Sequence, residues 1–83
     1  MERDVMLGSL KLNLFATRRG VTVSYYDQDI RHHSGLRKVR IGTLRAEELQ
    51  SGNGNVSLDI TPLLPVAREL FLKAGGDLTV DAA

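Results

Sequence analysis

The sequence predicts an α+β domain: a three- to four-stranded antiparallel β-meander packed against one C-terminal amphipathic helix, with room for a short final strand. Three observations carry this. Residues 9–17 and 21–28 alternate apolar and polar side chains at period two, as half-buried strands do. The turn-forming run Arg18-Arg19-Gly20 separates them. Residues 61–74 place Leu63, Val66, Ala67, Leu70, Phe71 and Ala74 on one stripe at helical spacing. Elements with one apolar face each pack as two layers around a single core.

In the first strand, Leu10, Leu12, Leu14 and Ala16 share the core face, and Phe15 falls on the polar side with Lys11 and Asn13. A tight turn at Arg19-Gly20 would set Leu14 opposite Tyr25 and Ala16 opposite Val23. The second strand carries Val21, Val23 and Tyr25 inward. Residues 29–36 read as a loop or second turn around Ser34-Gly35. Residues 37–44 read as a third strand, with Val39 and Ile41 inward and Lys38 and Arg40 outward. AEELQ, 46–50, is at most a short turn of helix, capped by Thr43 and stopped by SGNGN. Residues 55–60 alternate Val56, Leu58 and Ile60 and read as a fourth strand, entered through a turn at Asn53-Gly54. Thr61 suits the helix N-cap and Pro62 its first position; Gly75-Gly76 suits the end. Residues 77–81 allow a last strand, and with it a parallel crossover. Cover by the N-terminal segment MERDVMLG is one option for the outer sheet face, beside a solvated face.

Length and composition narrow the function. At 83 residues the chain is one domain, 1–83, with a thin core. It has no cysteine, which removes disulfides, thiolate chemistry and cysteine-bound zinc. The start MERD is no secretory leader, and no apolar run approaches the ~18–20 residues that cross a bilayer, so a soluble cytoplasmic protein is expected. Residues 1–45 hold nine basic and four acidic side chains, net +5, and residues 46–83 two basic and six acidic, net −4. Such asymmetry suits oriented docking.

The residues argue against an enzyme. No serine stands in a nucleophile-elbow setting, the pairs Asp27/Asp29 and Asp77/Asp81 would need a deep cleft between them for which a chain of 83 residues has little room, and the glycines at 51–55 match no phosphate-binding fingerprint. Adjacent His32 and His33 diverge in an extended chain and lack companion ligands, so no metal and no cofactor are expected.

What remains is the outer sheet face. Alternation displays Lys11, Phe15 and Tyr26 with Lys38 and Arg40, rimmed by Arg18, Arg19, Arg31, His32, His33 and Arg37. Aromatic and arginine side chains together suit a protein partner. The expectation is a small non-catalytic interaction module, an adaptor or inhibitor of the kind phages and mobile elements encode, docking on a macromolecular partner that handles nucleic acid. The same face has a second use, direct DNA or RNA binding, with basic groups on phosphates and rings on unpaired bases. The stretch Gly20–Leu49 is loosely similar to the DNA-binding arm-type three-stranded sheets of phage integrases, over about a third of the chain; the long helix that likeness implies is cut at Ser51. A homodimer seam is a third use of the face.

Overall fold

Strand pairing begins earlier in the chain than the alternation indicated. A computed structural model, describing residues 1–32, 35–52 and 58–78, shows four strands in the order β1-β2-β3-β4, each pair of neighbours antiparallel. They are β1 (Glu2–Leu7), β2 (Leu10–Thr17), β3 (Gly20–His32) and β4 (Gly35–Leu44). A six-residue helix, α1 (Ala46–Ser51), follows; a 3-10 turn, Thr61–Leu63, then runs directly into α2 (Leu64–Lys73). The α+β meander with one C-terminal helix is therefore present, but its fourth strand is the N-terminal one.

The expected strand at 55–60 is absent over Leu58–Ile60, and the remainder of it, with the Asn53-Gly54 turn, lies outside the described residues. The reason is local. The Asp59 carboxylate accepts the backbone N–H of Thr61 at 3.1 Å and its hydroxyl at 2.6 Å, an Asx-type turn that ends extended backbone. Thr61 is consequently the first residue of the 3-10 turn and not a cap. The N-terminal segment does not lie over the sheet; it adds in plane, from Glu2↔Phe15 to Leu7↔Leu10, with Val5 and Leu7 packed against the core.

The β2–β3 hairpin closes at Thr17↔Gly20, so its loop is Arg18-Arg19, one residue earlier than expected, and Leu14 faces Val23 while Ala16 faces Val21. The pairing slides by two residues, which leaves every side chain on its face. Gly20 sits inside the strand because a Cβ there would run into the backbone carbonyl of Leu44. In β4 a bulge opposite Val23/Ser24 resets the alternation. Val39 is paired with Tyr25 and Leu44 with Val21, and Ile41 packs on the same core. Strict period two would have turned Leu44 away from it.

The loop expected at 29–36 is largely strand: β3 continues to His32, β4 resumes at Gly35, and the two residues pair. The β2–β3 register reaches only Leu12↔Tyr25, so beyond it β3 and β4 run on as a two-stranded ribbon, and the molecule is 47 Å along its longest axis.

The core lies between the sheet and the helices. Leu12, Leu14, Ala16, Val21, Val23 and Leu44 meet Leu49 of α1 and Leu63, Leu64, Ala67, Leu70 and Phe71 of the C-terminal helical segment. Arg45 is the N-cap of α1, and its N–H donates to Glu48 Oε1 at 3.1 Å; Thr43 stays in β4 and is not the cap. Its last carbonyls are received by α2: Arg68 Nε donates to the Leu49 oxygen at 2.6 Å and Nη2 to that of Gln50 at 3.5 Å. Helix α2 ends in a Schellman motif, Gly75 N–H to the Leu72 oxygen at 3.1 Å and Gly76 N–H to that of Phe71 at 2.8 Å. A Cβ at Gly76 would enter the Phe71 ring. Asp77 and Leu78 are not in a strand and 79–81 lie outside the described residues, so no crossover forms among those described.

Phe71 is 1% exposed and touches both layers, so Phe71→Ala should cost about 3–5 kcal/mol. Domains of this size have only about 4–12 kcal/mol in all. Urea denaturation should find the variant largely unfolded or nearly so, while exposed Leu72→Ala stays within ~0.5 kcal/mol of wild type. Equal losses at the two positions would refute this placement of the core.

Candidate functional site: the outer face of the sheet

The four strands present, opposite the helices, a regular grid of side chains. One row crosses the sheet as Glu2, Phe15, Thr22 and Thr43; the next as Asp4, Asn13, Ser24 and Arg40. A third contains the pairs Met6↔Lys11 and Tyr26↔Lys38. Lys11, Phe15, Tyr26, Lys38 and Arg40 are thus brought to one face, as alternation indicated.

The structure differs in what the lysines do. Asp4 gathers the centre of the grid: its Oδ1 accepts from Asn13 Nδ2 at 2.9 Å and from the Tyr26 hydroxyl at 2.7 Å, and its Oδ2 lies 3.9 Å from Lys11 Nζ. Lys11 also stands 5.3 Å from the centroid of the Tyr26 ring, within cation–π range. Lys38 reaches from the fourth strand to Glu2 on the first, Nζ to Oε2 at 3.2 Å. That bridge runs diagonally over the Asn13–Ser24 row, and Asn13 is only 2% exposed although no helix among the described residues covers it. Both lysines of the expected basic face are therefore already matched with acids from β1.

The electrostatics follow from these contacts. The Asn13 and Tyr26 hydrogen bonds, then the two lysines, hold the Asp4 carboxyl below the usual carboxylate range. The charge-assisted bond to Asp4 raises the Tyr26 phenol above its ordinary value. Asp59 is lowered by its bonds from Thr61, and Glu69 by Lys73 at 3.0 Å.

The rest of the expected site disperses. Arg18 does not rim the outer face; its side chain lies against Gly75 at the end of α2, on the helix side. Arg19 is exposed in the hairpin turn, where its N–H donates to Thr17 Oγ1 at 3.1 Å. Arg31, His32 and Arg37 belong to the β3–β4 ribbon, and His33 lies outside the described residues. No three histidine, aspartate or glutamate side chains converge as metal ligands among the described residues. No helix among them is long and apolar enough to cross a membrane.

Sequence reasoning missed Glu2, Asp4 and Arg45. The signal for the acids was present: Glu2, Asp4 and Met6 alternate with Arg3, Val5 and Leu7, and any antiparallel partner of β2 places them over Lys11 and Asn13. Arg45 has extended backbone (φ −84°, ψ 173°) after inward Leu44, which carries the alternation one step further and puts it on the outer side. The guanidinium groups of Arg40 and Arg45 are in no ion pair among the described residues, although the Arg45 backbone N–H donates to Glu48. Phe15, between the two acids of β1 and the threonines, is 45% exposed. Compared with protein-family models, with curated proteins and with solved structures, the chain matches none.

The lowered Asp4 value gives a sign-definite expectation. A carboxyl depressed in the folded state adds stability above the unfolded carboxylate range, and this is lost as pH falls through the folded value. Asp4→Asn should therefore melt lower than wild type at neutral pH, and the two melting curves should converge on acidification. A gap in melting temperature that stays constant down to pH ~3 would show that Asp4 titrates normally. Lys38→Ala should change stability by less than about 1 kcal/mol, since both partners are half-exposed.

Proposed function

We propose that this chain is a small, non-catalytic interaction module that docks on a protein partner through the outer face of its sheet. The observation that carries this reading is the division of the two faces. One is filled by α1 and α2. The other keeps Phe15 45% exposed, with Met6 57% exposed at its corner, around a polar network that satisfies itself. An aromatic ring left open on a preorganised, half-polar surface is the make-up of an interface anchor, where aromatics and arginine concentrate and lysine is depleted. The pairing of Lys11 and Lys38 favours a protein over nucleic acid: a phosphate backbone would have to displace Asp4 and Glu2 before using either lysine, and those acids would then repel it.

Arg40 and Arg45 give the second reading, direct DNA or RNA binding, its specific support. The two separate on salt. Phosphate binding loses affinity steeply with salt, by a logarithmic slope of roughly 0.7–0.9 per contact. We expect no binding to mixed DNA or RNA above ~50 mM salt. Affinity purification with the intact chain should retain a nuclease-resistant partner, and Phe15→Ala should release it. A partner held only through nucleic acid, or a steep salt slope that flattens in Arg40→Ala, would overturn the protein reading and establish the other.

A further inference from the structure

We infer that the outer face has one docking end, the Phe15–Thr43 end between Arg40 and Arg45, and that its occupant is an extended protein segment with two carboxylates about four residues apart and an apolar side chain between them. This rests on the reading of the face as a protein-docking surface and names its ligand.

The other end of the face is closed. Asp4, Asn13, Tyr26 and Lys11 bond to one another, and the Lys38–Glu2 bridge lies across the row between. A ligand there would exchange formed contacts for new ones at little gain. The Phe15 end is open. Its row runs Phe15, Thr22, Thr43; the two threonine hydroxyls are 3.4 Å apart, and Phe15 and Thr43 are exposed. Arg40 stands one row above on β4, and Arg45 follows Thr43 by two residues below.

Spacing then sets the ligand. Neighbouring rows on one face lie about 6.8 Å apart along a strand, so Arg40 and Arg45 are about 13 Å apart, the rise of four residues in an extended chain. The row between them carries Phe15 two strands away, about 10 Å from β4, within reach of a long apolar side chain held over the threonines. Guanidinium groups without acidic partners select carboxylate by bidentate pairing. Acids border this window: Glu2 at the far end of the same row, and exposed Glu47 just beyond Arg45. A continuous phosphate strand crossing the face would meet them, whereas a segment with only two acids fits between.

The test uses the full chain labelled with 15N and three probes: a seven-residue peptide with glutamates four residues apart flanking a central leucine, its glutamine counterpart, and oligo-dT of similar length. We expect the glutamate peptide alone to shift the amides of Phe15, Thr22, Thr43 and Arg45, with at least about 10-fold weaker binding in Arg40→Ala or Arg45→Ala, equivalent to ~1.4 kcal/mol. Lys11→Ala should bind as wild type. Equal binding of the glutamine peptide, shifts centred on Lys11 and Tyr26, or no shift at millimolar peptide would each overturn the assignment of this end. Tighter binding of oligo-dT would instead overturn the protein-docking reading beneath it. If the purified partner persists in Phe15→Ala but is lost when Met6 or Tyr26 is replaced, the docking reading stands and this end does not.

Discussion

A single short helix has to roof one face of a sheet much longer than itself, and most of the structure follows from that. Helix α2 has ten residues, about 15 Å of length and about 10 Å of width. That is enough to span four strands at about 4.8 Å spacing, but not the roughly 43 Å of the 13-residue β3. Phe71 and Leu70 therefore seal only the part of the sheet where all four strands meet, and Arg68 enlarges the roof by holding the end of α1 against it. The ribbon lies past this roof, and among the described residues no helix covers the opposite face. Its polar groups have to be satisfied by the sheet itself, which is the work of Asp4 and Glu2.

Seen this way, the outer network is a structural solution first. Asn13 is buried in the middle of a face over which the described residues build no second layer, and burial of an amide without a partner costs about 1–3 kcal/mol. Asp4 supplies the acceptor, Tyr26 shares it, and Lys11 and Lys38 balance the charge. A binding function built on the remaining area then has the advantage of a stiff frame: the side chains around Phe15 border an ordered network, so a ligand need not order them first.

The fold was legible where one rule acted alone. The leucines of β2, the valines of β3 and the stripe of α2 each follow one period over several turns or pleats, and each appears where expected. It was illegible where two rules competed. In residues 55–60 alternation favoured a strand while the carboxylate of Asp59 closed a turn, and the turn prevailed. In β4 a bulge lets Val39, Ile41 and Leu44 share the core, which no single period describes. β1 has only Val5 and Leu7 on its core face and opens with three charges, so little in it announces a strand until β2 is placed beside it. The site was half legible for the same reason: alternation found which basic and aromatic residues share a face, but not their acidic partners, which come from the strand that was missed. Arg18 departed because it occupies a turn, where alternation ends.

Two glycines carry a different kind of consequence. At Gly20 the space for a side chain is taken by the Leu44 carbonyl, and at Gly76 by the Phe71 ring. Both exclusions arise from the backbone path and the core, and neither depends on what the outer face binds. Over a lineage, the arginines and the aromatic of that face would be free to drift with the partner proposed above, whereas these two positions are held by geometry. Descendants of this fold would then be recognised by a glycine opening the third strand and another closing the last helix, long after the surface had changed beyond comparison.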